Sequence, residues 1–176
     1  MKHAIRMFVL AAAAVALTGS SAFAQATIHG DVTKDWAGQK ELLVKIANAM
    51  PDDKIGFKPT PAQRSFGEQI LHIAQVNMAL IAVVGGKTPA PAINMKATTK
   101  AEQIKALSDS FDHGSAVLKE FDNTTIQGTV PQPFGMGPAT RARVFFFLVS
   151  HTQDIYGQMA VYLRLNGVTP PASQRP

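Results

Sequence analysis

The chain has 176 residues, contains no cysteine and carries a formal net charge of +5. Without cysteine, no disulfide can cross-link the fold, so an ordinary hydrophobic core must stabilise it. The chain also has no thiol nucleophile. The basic residues are scattered singly with little aromatic interleaving, which argues against a nucleic-acid-binding protein.

The first 24 residues are predicted to be a cleavable secretory signal peptide. Lys2 and Arg6 form a short basic segment before an apolar stretch from Met7 to Gly19, and Ala22-Phe23-Ala24 offers a cleavage site. The apolar run is short for a membrane-spanning helix, which needs about 20 apolar residues. Cleavage after Ala24 leaves 152 residues with 15 basic and 12 acidic side chains, a net charge of +3. We expect a periplasmic or secreted protein with no later integral membrane segment; the alternative is an uncleaved anchor.

The first half of the remaining chain is predicted to form two helices. Residues 25–30 lack periodicity and are predicted to be a flexible leader to one domain spanning 31–171. Apolar residues at helical spacing predict a first helix over about 31–49, which Pro51 stops because proline cannot continue the hydrogen-bond ladder. A second helix is predicted to open at the capping box Ser65–Glu68 and to end at a glycine pair after residue 84.

The second half is predicted to form two more helices and a C-terminal tail over 172–176. The third helix opens at another capping box, Thr99–Glu102. The connection over 124–137 is long and rich in proline and glycine, which makes it a candidate border of a site. The fourth helix is predicted over about Pro138–Leu165, since proline suits a first helical turn. Together these patterns predict an all-α, four-helix bundle with a long connection between helices 3 and 4.

Three histidines in the predicted helices are candidates for chemistry, whereas His29 falls in the predicted leader. His151 lies in an apolar stripe and His72 at the edge of another, and each alone is typical of a structural histidine. His113 shares its turn with two aspartates on a face expected to be solvated. Facing helices of a bundle can direct imidazoles at one metal ion, but a catalytic zinc-type site needs about three protein ligands. The position four residues after His151 is Ile155, which cannot bind a metal, so spacing offers two ligands and no obvious third.

Other motifs give weaker signals. Ser150 adjoins His151 on the same helix and points about 100° away, which disfavours a catalytic pair. The sequence contains no G-x-S-x-G nucleophile elbow, and Gly135-Met136-Gly137 is too short for a phosphate loop. The Phe145-Phe146-Phe147 run favours core and helix-contact surface, on which a homodimer could form. Catalytic residues stay unassigned.

Two motifs resemble the DinB/YfiT-like family in their order and spacing. They are the segment SHTQDIYGQMAVYLRLNGVTPP at Ser150–Pro171, and Phe57–Pro61 followed by Arg64–Glu68 and Leu71–Ile73. The resemblance covers Asp35–Pro171 and implies a four-helix bundle. Its members often hold a divalent metal through three histidines, one from the second helix and two, four residues apart, from the fourth.

The resemblance assigns His72 and His151 to two of these metal positions and Ile155 to the third. Members with known activities include thiol-dependent S-transferases and isomerases. Export to an oxidising compartment fits poorly with a low-molecular-weight thiol cosubstrate. A substitute ligand could come from Gln158 or Asp154, although zinc-like ions favour imidazole, thiolate and carboxylate over neutral amides.

Two hypotheses follow for function. The favoured one is a degenerate relative that keeps the bundle and its cleft as a binding or interaction module for an unknown small molecule. In that case a divalent metal (Zn, Ni or Fe) would be weakly held or absent. The alternative is a metal-dependent hydrolase or transferase that uses His72 and His151 with a substitute ligand.

The signal-peptide prediction is tested by expressing the full chain in a Gram-negative host. The protein recovered from the periplasm should begin at Gln25 by intact mass and N-terminal sequencing. Ala24→Leu should block processing because the peptidase requires a small residue there, whereas Ser20→Ala should be processed normally. Wild-type protein that keeps residues 1–24 in the membrane fraction would support the anchor instead.

Overall fold

A computed structural model describes residues 26–131, 135 and 137–174, and the signal peptide predicted over 1–24 lies outside these residues. Four long helices dominate the described part of the chain. They are α1 (Ile28–Ala49), α2 (Phe66–Val84), α3 (Lys100–Leu118) and α4 (Arg141–Leu165). The prediction of an all-α, four-helix bundle is confirmed.

Local capping fixes where the helices begin. Both capping boxes are formed: Ser65 and Glu68 exchange hydrogen bonds at the start of α2, and Thr99 and Glu102 do so at α3. Helix α1 begins at Ile28, earlier than predicted. The prediction that residues 28–30 belong to a flexible leader is therefore wrong. The reason is an N-cap that apolar periodicity does not reveal: Thr27 Oγ1 accepts a hydrogen bond from the Gly30 amide at 3.1 Å.

The connection between α3 and α4 contains a small two-stranded ladder. Strand β1 (Thr129–Val130) pairs antiparallel with β2 (Ala139–Thr140), and strands of two residues are too short to show an alternating pattern. Helix α4 therefore begins at Arg141 rather than near Pro138, with the Thr140 hydroxyl accepting from the Arg143 amide at 3.1 Å. A 3-10 turn, Pro171–Ser173, extends into the predicted C-terminal tail.

Each helix packs against two others, and helices consecutive in sequence are not always neighbours. Helices α1 and α2 both contact α3 and α4 and lie on a diagonal of the bundle. Asn77 Nδ2 of α2 donates to Ser110 Oγ of α3 at 3.1 Å, and Gly86, just after the end of α2, lies against Val117 near the end of α3. Helices α2 and α3 are therefore parallel, and the connection 85–99 must run back along the bundle.

The core centres on the single tryptophan. Trp36 is fully buried, its Nε1 donates to the Phe111 carbonyl at 2.9 Å, and its ring lies 4.5 Å from that of Phe111 and 5.4 Å from that of Phe145. The indole thus joins α1 to α3 and α4 through both packing and a satisfied polar atom. Gly114 of α3 lies directly against this ring.

Helix α2 is the most apolar of the four. Among the described residues it is the one helix long and apolar enough to span a membrane by length and composition, with a mean hydropathy of 1.3. The core helix of a bundle can pass the same test, so the expectation of no later integral membrane segment stays a prediction. Half of that window is buried inside the bundle, so packing between α3 and α4 accounts for its composition.

A matched pair of glycine substitutions tests this packing. Gly114→Ala would drive its methyl group into the buried Trp36 ring, so the free energy of unfolding should fall by about 1–3 kcal/mol. Gly157→Ala on α4 meets open space and should gain about 0.5–1 kcal/mol from helix propensity. Urea unfolding followed by circular dichroism measures both, and changes of the same sign would contradict the described packing of Trp36.

Candidate metal and ligand site

The site lies along the seam between α2 and α4. Hydrogen bonds tie the two helices at both ends: Arg141 Nε donates to the Val84 carbonyl at 3.0 Å, and Tyr162 Oη donates to the Arg64 carbonyl at 3.0 Å. The start of each helix therefore meets the end of the other. This antiparallel register places the middle of α4 opposite the first half of α2.

The seam brings His72 and His151 together. Their ring centroids are 5.1 Å apart and the ring planes are inclined by 78°. Two imidazoles that bind one ion through nitrogens at about 2 Å have centroids roughly 5 Å apart, so the separation suits a shared ligand. On the other side of His151, the ring of Phe147 lies parallel to it within 2° at a centroid distance of 6.4 Å.

The position of a third histidine is filled by an apolar side chain. Ile155 is one turn beyond His151 and only 2% exposed, packed into the core. Both candidate substitute ligands are engaged in hydrogen bonds: Gln158 Oε1 accepts from Gln69 Nε2 at 2.8 Å, and Gln158 Nε2 donates to Asp154 Oδ2 at 3.1 Å. Within the described ranges, no group of three or more His, Asp or Glu side chains could hold a metal ion.

The environment keeps both rings neutral near pH 7. Burial, followed by the positive charge of Arg64 and by repulsion from His151 when that ring is protonated, lowers the pKa of His72 to about 4. Burial also lowers the pKa of His151, and Arg64 adds to this effect while Asp154 opposes it. Nε2 of His151 is buried and makes no hydrogen bond among the described residues. Neutral imidazoles are the form that binds metals or exchanges hydrogen bonds with a ligand.

A cavity of about 420 Å³, which we call the His72 cavity, opens beside the pair. Its walls come from the segment before α2, the first three turns of α2 and the connection 85–99. The lining residues are Lys58, Pro61, Ala62, Gln63, Arg64, Glu68, Leu71, His72, Gln75 and Met95. His72 is thus shared between the cavity and the seam.

The connection 124–137 was predicted to border the site, but its described residues, 124–131, 135 and 137, do not line the His72 cavity. Arg141 Nη1 donates to the Thr125 carbonyl at 3.0 Å and so places the first part of this connection at the start of α4. His151 is ten residues further along that helix, or about 15 Å away. The wall is formed instead by residues 58–64 and Met95. Arg64 could have been predicted as a site residue because it lies close to His72 in the sequence. No local pattern in the sequence indicated that Met95 would line the same cavity.

The expectation that His113 is solvated is also wrong. It is 8% exposed, and it lines a separate cavity of about 500 Å³ together with Pro89 and Pro91 of the connection 85–99. Burial lowers the pKa of His113. The connection covers a helix face that the sequence pattern alone shows as polar.

Structural comparison finds the same fold in bacterial proteins of low sequence identity. A DinB-like protein from Bacillus cereus ATCC 10987 matches with a TM-score of 0.65 and 19% identity, covering 82% of this chain and 96% of that one. The DinB-like protein YjoA of Bacillus subtilis matches with a TM-score of 0.62 and 14% identity, covering 82% and 99%.

YfiT of Bacillus subtilis, described as a probable metal-dependent hydrolase with an unusual four-helix bundle topology, also matches. Its TM-score is 0.63 at 12% identity, with 79% of this chain and 87% of YfiT covered. No match is found among curated proteins. The family profile described as the DinB superfamily matches residues 36–159, which is more than half of the sequence. The chain therefore belongs to the DinB superfamily.

Proposed function

We propose that this protein is an exported, non-catalytic DinB-superfamily member that binds a small molecule in the His72 cavity. The observation that carries the proposal is the incomplete histidine set: His72 and His151 face each other, while Ile155 fills the third position. The predicted signal peptide supports export, which removes the protein from cytosolic thiols.

The donor set does not fit a tightly held divalent ion. Two imidazoles alone leave a zinc-type ion short of the three or four protein ligands it usually has. The Gln158 amide is a poor ligand, and the Asp154 carboxylate already accepts a hydrogen bond from it. Recruiting Gln158 through Oε1 would break its part-buried hydrogen bond with Gln69, and recruiting Asp154 through Oδ2 would break its hydrogen bond with Gln158. Either third ligand would therefore cost a hydrogen bond that the structure already forms.

The His72 cavity has the properties of a small-molecule site. Its volume of about 420 Å³ falls in the range of ligand pockets, roughly 300–1,000 Å³. Its lining contains more polar side chains, including Gln75 and His72, than apolar ones, which include Leu71 and Met95. Apolar walls supply burial of the ligand and polar groups fix its orientation.

A metal-dependent hydrolase or transferase is the second candidate function. Its specific support is the 5.1 Å separation of the two rings, which suits a shared ion, together with the fold shared with YfiT. The two candidate functions make different predictions about metal binding. The enzyme requires that wild-type protein already holds a metal ion at His72 and His151, whereas the non-catalytic protein would need a further ligand to do so.

Restoring the missing ligand distinguishes the two candidates. Ile155→His places an imidazole four residues after His151 on the same helical face, so zinc binding measured by calorimetry should tighten at least a hundredfold over wild type. The control Ile155→Gln introduces a polar side chain of similar size and should show no such gain. The double variant with His72→Ala should lose it.

Two outcomes would contradict the proposal. Wild-type protein that already binds zinc as tightly as Ile155→His would favour the enzyme. An Ile155→His variant that folds, by circular dichroism, without tighter zinc binding would show that the two rings do not converge on a common point.

The neutral state of His72 gives a separate pH prediction. Its pKa of about 4 in the folded state is below the ordinary value of 6.5, so the folded state binds fewer protons than the unfolded chain between these values. Stability should therefore fall as the pH drops from about 6.5 to about 4, and His72→Gln should make that fall smaller. Proton NMR titration, with the His72 resonance assigned from the variant, measures the pKa directly; a pKa near 6.5 would contradict the burial.

A further inference from the structure

The His72 cavity contains a cation without a counter-charge. Arg64 lines the cavity, and among the described residues no carboxylate forms an ion pair with it. The other cation of the lining, Lys58, is paired with Glu68 at 3.0 Å. Glu68 is further engaged by the Ser65 amide, which donates to Oε2 at 2.6 Å. The cavity therefore carries one net positive charge, and Arg64 is its source.

The positively charged Arg64 lines the same cavity as His72. A bound anion would offset this charge, whereas a bound cation would add to it. The planar guanidinium also presents paired N–H donors that match the two oxygens of a carboxylate or a phosphate.

The remaining walls divide into polar and apolar parts. Gln75 and the neutral His72 ring are one turn apart on the same face of α2 and both line the cavity. Leu71 lines it as well, and Met95 enters from the connection 85–99 with 37% of its surface exposed. Methionine is flexible enough to adapt to an apolar group of varied shape.

We propose that the His72 cavity binds the oxyanion of a small organic acid or phosphate ester through Arg64. Gln75 and His72 provide neutral hydrogen-bond partners, and Leu71 with Met95 contacts the apolar part of the ligand. This inference rests on the proposed function, because it names the class of ligand for the same cavity.

The test uses the mature protein, secreted and untagged, in two preparations: as purified, and after treatment with EDTA and dialysis. Sodium phosphate, sodium butyrate and the neutral analogue butyramide are titrated by calorimetry at constant ionic strength. Phosphate or butyrate should bind saturably and butyramide should not. The anion that binds with the higher affinity shows whether the cavity prefers a phosphate or a carboxylate. Arg64→Gln should weaken that binding at least tenfold because it removes a charge-assisted pair. Arg64→Lys should retain part of the anion affinity because it keeps the positive charge.

The matched control is Arg143→Gln, an exposed arginine of α4 that does not line the cavity. It should leave the affinity unchanged, and circular dichroism melting establishes that each variant folds. Absence of saturable binding by both anions, or equal losses in Arg64→Gln and Arg143→Gln, would overturn this inference. Anion binding that vanishes after EDTA and returns with zinc would overturn the proposed function instead, because the anion would then be bound through a metal.

Discussion

The antiparallel packing of α2 against α4 determines the register on which the candidate site depends. The side chains of Arg141 and Tyr162, near the two ends of α4, each bond a backbone carbonyl at an end of α2, which fixes how far one helix can slide along the other. In this register His72 faces His151, and one turn along α2 the amide of Gln69 meets Gln158. A shift by one turn, about 5.4 Å, would separate both pairs.

The parallel arrangement of α2 and α3 has a second consequence for the site. Parallel neighbours need a connection that runs the length of the bundle, and residues 85–99 provide it. This connection is held at its start by Glu120, which accepts hydrogen bonds from the amides of Lys87 and Thr88. The Thr88 hydroxyl also donates to Glu120, and this bond, followed by those of the two amides, lowers the pKa of the Glu120 carboxyl. From there the connection covers His113 and brings Met95 to the His72 cavity.

Local features were predictable from the sequence because their causes are local. Capping boxes at Ser65 and Thr99 define helix starts through contacts between residues three apart, and apolar periodicity identifies the four helices. The burial of His113 and the place of Met95 were not predictable, since both depend on the path of a connection that has no periodic pattern of its own. The family resemblance supplied the pairing of His72 with His151, which spacing in the sequence cannot give because the residues lie on different helices.

One position on α4 separates the two candidate functions. Four-helix bundles can build metal sites from side chains on facing helices. In this member of the DinB superfamily the rings of His72 and His151 lie 5.1 Å apart, and the buried side chain of Ile155 occupies the position one turn after His151. The proposed function follows from this arrangement: beside the two rings, a cavity with one net positive charge would bind its ligand by hydrogen bonds and charge rather than through a metal.

The most direct measurement is the metal content of the untagged wild-type mature protein, determined by inductively coupled plasma mass spectrometry after gel filtration in metal-free buffer. For a protein with only two imidazole ligands we expect far less than one equivalent of zinc, nickel or iron per chain. Close to one equivalent of any of these metals, lost in a His151→Ala variant, would contradict this expectation.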